Sequence, residues 1–261
     1  MKVVDFDACT DQDEIIIYPI GDVHIGEAGF SQTEFVKVIN TIKNTPNAYA
    51  ILNGDLINNA TRSGVSDVYG EQMSPMLQIS LALEYLEPIK DKIISATTGN
   101  HELRSNKDDG LDIAQFMCAS LGIQNRYSPD GVFIFLTTGK AAGKNSQKPH
   151  NQVYGIYHTH GSGGGKRAGS TSNALEDLTG IVDADVIIRG HSHKPMAFPI
   201  GYFRANYSNH KVTQVTKYLV NTTAFLHYGG YGEQKGFRPT AIAIPEIHLK
   251  AHSNKKIRVI I

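Results

Sequence analysis

The sequence predicts an α/β fold in which two sheets pack together with helices outside. Two observations carry this. Apolar strands alternate with helical patterns through the first half of the chain, which points to an α/β sheet. Short β-rich runs dominate the second half, with one helical pattern among them. A further feature concerns chemistry: strand after strand ends in glycine followed by Asp, Asn or His.

The elements follow in order. EIIIYPI (14–20) reads as a buried strand. SQTEFVKVINTIKN (31–44) reads as a helix, with Ser31 as N-cap and Glu34 completing a capping box. AYAILNGD (48–55) is the second strand. SPMLQISLALEYLEPIKDK (74–92) is a helix capped by Ser74, with Pro75 at its first position. IISATTGNHE (93–102) is a third strand and its exit, and DDGLDIAQFMCASLG (108–122) is a helix stopped by Gly122. Then come VFIFLTT, VYGIYHTH, a helix near 173–182, DVIIRGH, MAFPIGYF, VTQVTKYLV, TAIAIPEIHL and IRVII. GKAAGKNSQKPHNQ (139–152) and GSGGGKRAGSTS (161–172) read as loops.

A chain of 261 residues can bury a substantial core. No stretch is long enough to span a bilayer, and the acidic start MKVVDFDACTDQDE resembles neither a secretory nor a transit segment. Cys9 and Cys118 give no disulfide framework, so a reducing cytoplasm is expected. The net charge of zero conceals an asymmetry. Residues 1–130 hold 19 acids and 9 bases, whereas residues 131–261 hold 6 acids and 16 bases. Residues 131–175 and 186–232 contain no acid. Either the basic half is solvated surface, or it forms a positive wall for an anionic substrate.

The chemistry lies at the strand ends. IIIYPIGDVHIG delivers Asp22 and His24 at i and i+2, which on an extended chain share a face. ILNGDLINN delivers Asp55, ATTGNHE delivers Asn100 and His101, and VIIRGHSHK delivers His191 and His193. IYHTHG delivers His158 or His160. One zinc ion needs only three or four ligands, so this set suits two metals. Mixed imidazole and carboxylate donors favour Mn, Fe, Zn or Ni over Ca. A carboxylate can bridge two such ions.

GDVHIG, GDLINN, GNHE, HTHG and GHSH resemble, in order, the five motifs of the calcineurin-like metallophosphoesterase superfamily. The resemblance spans residues 21–193. It implies a β-sandwich of two mixed sheets flanked by helices, forming a single domain over residues 1–261. It further implies two divalent transition-metal ions, with manganese expected and iron, zinc or nickel as alternatives. Carried over by position, Asp22, His24 and His193 would hold one ion, and Asn100, His160 and His191 the other. Asp55 would bridge them; His160 is chosen over His158 because the family's ligand directly precedes Gly. His101 would stand beside the ions without ligating them. By the family's mechanism a metal-bound hydroxide attacks phosphorus, and His101 protonates or steadies the leaving oxygen.

Some features separate the chain from particular branches. GNHELR resembles the Ser/Thr phosphatase branch, yet Asn58-Asn59-Ala60 stands where that branch has Asp-Arg-Gly. Asn58 thus replaces the acid that would orient His101. GHSH resembles the phosphodiesterase and Mre11-type nuclease branches, and HGSGGGKRAG is similar to metallophosphoesterases of phages and prophages. The expected activity is hydrolysis of phosphodiesters, with nucleic acid or nucleotide substrates and no membrane partner. The alternatives are a phosphomonoesterase acting on phosphoprotein or small molecules, and a metal-binding scaffold without catalysis.

GSGGGKRAG is not a P-loop: His160 stands six residues before Lys166, and Arg167 takes the Ser/Thr position. Its amides, Lys166 and Arg167 are candidates for holding a substrate phosphate. Arg62 and Arg104 follow motifs two and three and are candidates to reach the same site. Tyr228 and Tyr231 could stack a base. His150, His210, His227, His248 and His252 match no motif.

Overall fold

A computed structural model describes residues 1–10, 12–61, 68–139, 152–234, 236–252 and 254–261. It contains two mixed six-stranded sheets flanked by helices. The strands are β1 (Lys2–Cys9), β2 (Glu14–Ile20), β3 (Ala48–Asn53), β4 (Ile93–Thr97), β5 (Tyr127–Ser128) and β6 (Gly131–Gly139). They continue with β7 (Gln152–Thr159), β8 (Val186–Arg189), β9 (Met196–Asn206), β10 (Lys211–Asn221), β11 (Glu246–Lys250) and β12 (Ile257–Ile260). The helices are α1 (Gln32–Asn44), α2 (Pro75–Leu86), α3 (Glu102–Asp109), α4 (Ile113–Ser120), α5 (Ala168–Leu178) and α6 (Gly230–Gln234).

One sheet has the order β1-β6-β7-β8-β10-β9 and the other β12-β11-β2-β3-β4-β5. Alternation along the central strands separates the layers. Ile15 and Ile17 of β2 face the opposing sheet, where they join Val132, Ile134, Ile156, Val186 and Ile188. Tyr18 and Ile20 point the other way, toward Phe35 and Ile39 of α1 and Ile79 of α2. α5 covers the outer face of the other sheet through Leu175, packed with Ile187 and Leu219. Apolar area leaves water in all three layers, the dominant stabilising term in a fold of this size.

β2, β3 and β4 run parallel, and so do β7 and β8. Their carboxyl ends therefore open at common edges, where α/β sheets place ligands. Among the described residues no helix is long and apolar enough to cross a membrane.

Several local expectations need correction. The helix expected over 108–122 is two helices. Gly110 takes a left-handed conformation (φ 72°) and ends α3, and the Asp112 side chain accepts from Gln115 N (2.9 Å) to start α4. Ser31 and Ser74 occupy N-cap positions but make no side-chain cap bond. Ser31 N–H donates to Phe225 O (2.8 Å), and Glu34 lies 3.6 Å from Lys37. TAIAIPEIHL forms a strand only from Glu246; Ile242 and Ile244, ahead of Pro245, pack partly buried against the core. The helix near 173–182 begins earlier, at Ala168.

The basic second half is partly neutralised. Arg204 and Lys217 lie 2.6 and 3.1 Å from Asp183, and the Lys217 ammonium sits over the Tyr202 ring. These two charges serve the fold rather than a positive wall.

Candidate metal centre

The expected extended spacing of Asp22 and His24 is not what brings them together. β2 ends at Ile20, and both residues adopt left-handed backbone (φ 52° and 54°). Asp55 (φ 52°), His191 (φ 68°) and His193 (φ 56°) do the same. Such backbone is uncommon outside glycine, although Asp, Asn and His tolerate it best, and it concentrates at functional sites. The side chains converge because sharp left-handed turns aim them, not because a strand alternates.

Two glycines permit this. A Cβ on Gly54 would lie 2.5 Å from Gly99 N, and one on Gly99 would lie 2.1 Å from Asp55 Oδ1. The loops after β3 and β4 therefore touch backbone to backbone. Gly54 also holds φ 79°, which a side chain would strain.

Three trios of potential ligands result: Asp22, His24 and His193; Asp55, His160 and His191; and His24, Asp55 and His101, with the atoms of each trio within 4.8 Å of one another. In the first, His193 Nε2 lies 3.1 Å from His24 Nε2 and 3.4 Å from Asp22 Oδ1. In the second, His160 Nε2 lies 3.2 Å from Asp55 Oδ2. Asn100 Oδ1 joins it, 3.1 Å from His160 Nε2 and 2.6 Å from His191 Nδ1. Asp55 belongs to the second and third trios, and His24 links the third to the first.

The supporting hydrogen bonds orient these groups. Asp22 accepts from Thr222 Oγ1 (2.8 Å) and from His191 N–H. The main-chain oxygen of Asn53 lies 2.7 Å from His160 Nδ1, which turns Nε2 toward Asp55. His158 is excluded as a ligand. It is buried between the sheets, with Ser95 Oγ 2.7 Å from Nε2 and Asn53 Oδ1 3.0 Å from Nδ1.

Electrostatics follow from burial and proximity. Burial, reinforced by His101 and His193, holds the His24 imidazole well below its usual value, so it is neutral. Burial would raise Asp22, but His193 and His160 bring it down to about 2. Burial would lower His160, yet Asp55 beside it raises it to about 10. The residues fit divalent cations. Buried carboxylates, imidazoles and an amide oxygen converge, and His24 Nδ1 is buried with no hydrogen-bond partner.

His101 stands at the rim of this cluster, its ring centroid 4.4 Å from that of His24 and its Nε2 3.8 Å from Asp55 Oδ2. Its Nδ1 lies 2.6 Å from the main-chain oxygen of Asn58, and Arg104 Nη2 lies 3.0 Å from its Nε2. A guanidinium only donates, so Nε2 accepts and Nδ1–H donates to Asn58. Burial, with a smaller contribution from Arg104, lowers this imidazole to about 4. Asn58 thus orients His101 through its backbone, while its side chain donates to Glu27 and Glu71.

Arg104 also donates to the carbonyls of Asn58 and Asn59 (3.0 and 3.3 Å). Lys166 and Arg167 are exposed at the start of α5. Lys194 ties the glycine-rich loop down by donating to Gly165 O (2.7 Å), and both Lys166 and Lys194 lie about 6 Å from the Phe237 ring centroid. Arg62, His150 and the Tyr231 side chain fall outside the described residues, and Tyr228 donates to Phe237 O. His248 lies between Glu14 and Glu246, away from the cluster. Sequence reasoning misses Asn53 and Glu102 as supports of the centre; the only signal is their position within the motif segments.

Residues 17–195 match the profile of the calcineurin-like phosphoesterase family. The chain belongs to this family. No curated protein matches it. Among solved structures it is similar to a conserved, predicted phosphoesterase from Streptococcus pneumoniae TIGR4, at 12% identity over 95% of this chain and 90% of that one (TM-score 0.41). It is also similar to a Vps29 double mutant from Entamoeba histolytica, at 10% identity over 94% and 98% (TM-score 0.41). A metallophosphoesterase from Sphaerobacter thermophilus matches at 13% identity over 90% and 84% (TM-score 0.36). At these identities and scores the structural likenesses carry no functional argument. Family membership makes the centre a candidate site for divalent-metal-dependent hydrolysis of phosphoesters.

Proposed function

We propose that the protein is a dinuclear-metal phosphodiesterase acting on nucleic acids or nucleotides. The observation that carries the dinuclear reading is Asp55, which stands within reach of His160 and His191 on one side and of His24 on the other. Asp22, His24 and His193 would hold one ion and Asn100, His160 and His191 the other, with Asp55 shared. Manganese suits this donor set, as do iron, zinc and nickel. When bound, two such ions activate water and offset the charge that develops on phosphoryl oxygens.

The chain's own residues supply the rest. His101 and Arg104 form one unit beside the centre, and the guanidinium presents fixed N–H donors there. This favours steadying the leaving oxygen by hydrogen bonding over delivering a proton from His101. Lys166 and Arg167, next to Gly165 on the loop that Lys194 holds, would grip a second phosphate of a longer substrate. The GHSH segment supports the diester preference through its resemblance to phosphodiesterases and nucleases.

The test is a substrate panel with manganese: bis-p-nitrophenyl phosphate, p-nitrophenyl phosphate, cyclic nucleotides, and single- and double-stranded DNA. Faster turnover of diesters supports the proposal. A clear preference for p-nitrophenyl phosphate makes the protein a phosphomonoesterase. Metal binding without any turnover makes it a scaffold.

A further inference from the structure

Glu102, the first residue of α3, is buried to 1% exposure directly behind the centre. Four main-chain N–H groups from two loops donate to its carboxylate. Oε1 accepts from Leu56 (2.6 Å) and Ile57 (3.3 Å), and Oε2 accepts from Asp55 (3.0 Å) and Gly99 (2.9 Å). Successive N–H groups turned inward in this way form an anion-binding concavity. Here the anion is a side chain of the same protein.

We propose that Glu102 is a positioning residue of the metal centre, holding the loops after β3 and β4 in the register that aims Asp55 and Asn100. The inference rests on the metal reading proposed above. Asp55 keeps left-handed backbone, a strained conformation that persists only where its surroundings over-determine it. Its N–H is held by Glu102, and its Oδ1 accepts from His101 N–H (2.8 Å) on the other loop. The Gly54–Gly99 approach leaves no slack between the loops. Moving either loop therefore moves ligands assigned to both ions. Only a carboxylate supplies two acceptor oxygens at this position. In Glu102→Gln one oxygen becomes an NH2 group facing two N–H donors, with no change of shape.

The experiment compares wild type, Glu102→Gln and Glu102→Asp by calorimetric titration with manganese chloride, with circular dichroism as the check on folding. The expected result is two ions bound by wild type, an affinity about ten-fold or more weaker in folded Glu102→Gln, and Glu102→Asp between them. Wild-type affinity in folded Glu102→Gln overturns the proposal. If Glu102→Gln does not fold, Glu102→Asp decides: weakened binding supports the proposal and unchanged binding overturns it. Hydrogen exchange on the metal-free proteins separates the two readings. Faster exchange of residues 54–57 and 99–101 in Glu102→Gln, with β3 and β4 unchanged, shows Glu102 anchoring both loops even if wild type binds no manganese. In that case the metal reading fails on its own account. Unchanged exchange in those loops overturns the anchoring role.

Discussion

The main-chain oxygen of Asn53 lies 2.7 Å from Nδ1 of His160. This hydrogen bond places the proton on Nδ1 and leaves Nε2 facing Asp55, 3.2 Å away. Without metal, the Asp55 carboxylate outweighs burial and holds a second proton on the ring up to about pH 10. An imidazole that ligates a metal must be neutral, so binding expels that proton. Manganese titration at pH 8, in buffers of different ionisation enthalpy, is expected to show release of about one proton per protein. His160→Gln should abolish the release.

His158 behaves differently because its neighbours are neutral. Burial alone pushes its imidazole down to about 3 from 6.5. Between these values the unfolded chain binds more protons than the folded one, so stability rises with pH across the window and is lost as pH falls below 6.5. Urea melts at pH 4.5 and 7 should show this loss. In His158→Gln, which cannot titrate, the difference between the two pH values should narrow. An unchanged difference assigns the acid sensitivity to other groups.

The strand ends are legible from sequence because each motif is local: a glycine, a ligand and an apolar strand before them. Every sequence-assigned ligand lies in one cluster, yet the reason for convergence is not legible. Left-handed backbone at Asp22, His24 and Asp55 is imposed by contacts between loops distant in sequence. β1 escapes sequence reasoning for a simpler reason. Asp5 and Asp7 alternate with Val4, Phe6 and Ala8, and the acids look like a solvated start rather than the outer face of an edge strand. Glu102 stands out in the sequence only as a variation in a motif, since its role depends on four amides that no side-chain pattern encodes.

His101 supplies a kinetic prediction. His101→Asn is expected to keep metal content and lower kcat, with hydrogen-bond support of a developing oxyanion worth about 10²–10³-fold. Alkyl leaving groups should lose more than p-nitrophenolate, which needs little help. Equal losses argue against any role at the leaving oxygen, and loss of metal makes His101 a ligand of the trio it forms with His24 and Asp55.

Lys166 and Arg167 are exposed and lie on the loop that Lys194 tethers. Replacing both by Ala should raise KM for a polynucleotide while leaving bis-p-nitrophenyl phosphate and metal content nearly unchanged. The salt dependence of polynucleotide binding should flatten by about one to two units of slope, one for each phosphate the variant no longer grips. An unchanged KM for the polynucleotide makes the loop a solvated surface.

Asp55 carries the central claim. A crystal structure grown with manganese, collected with anomalous scattering, tests it most directly. Two ions sharing the Asp55 carboxylate are expected, with Asp55→Asn losing occupancy at both positions and Asp22→Asn mainly at one. A single well-occupied ion, or an Asp55 side chain turned away from the metals, would contradict it.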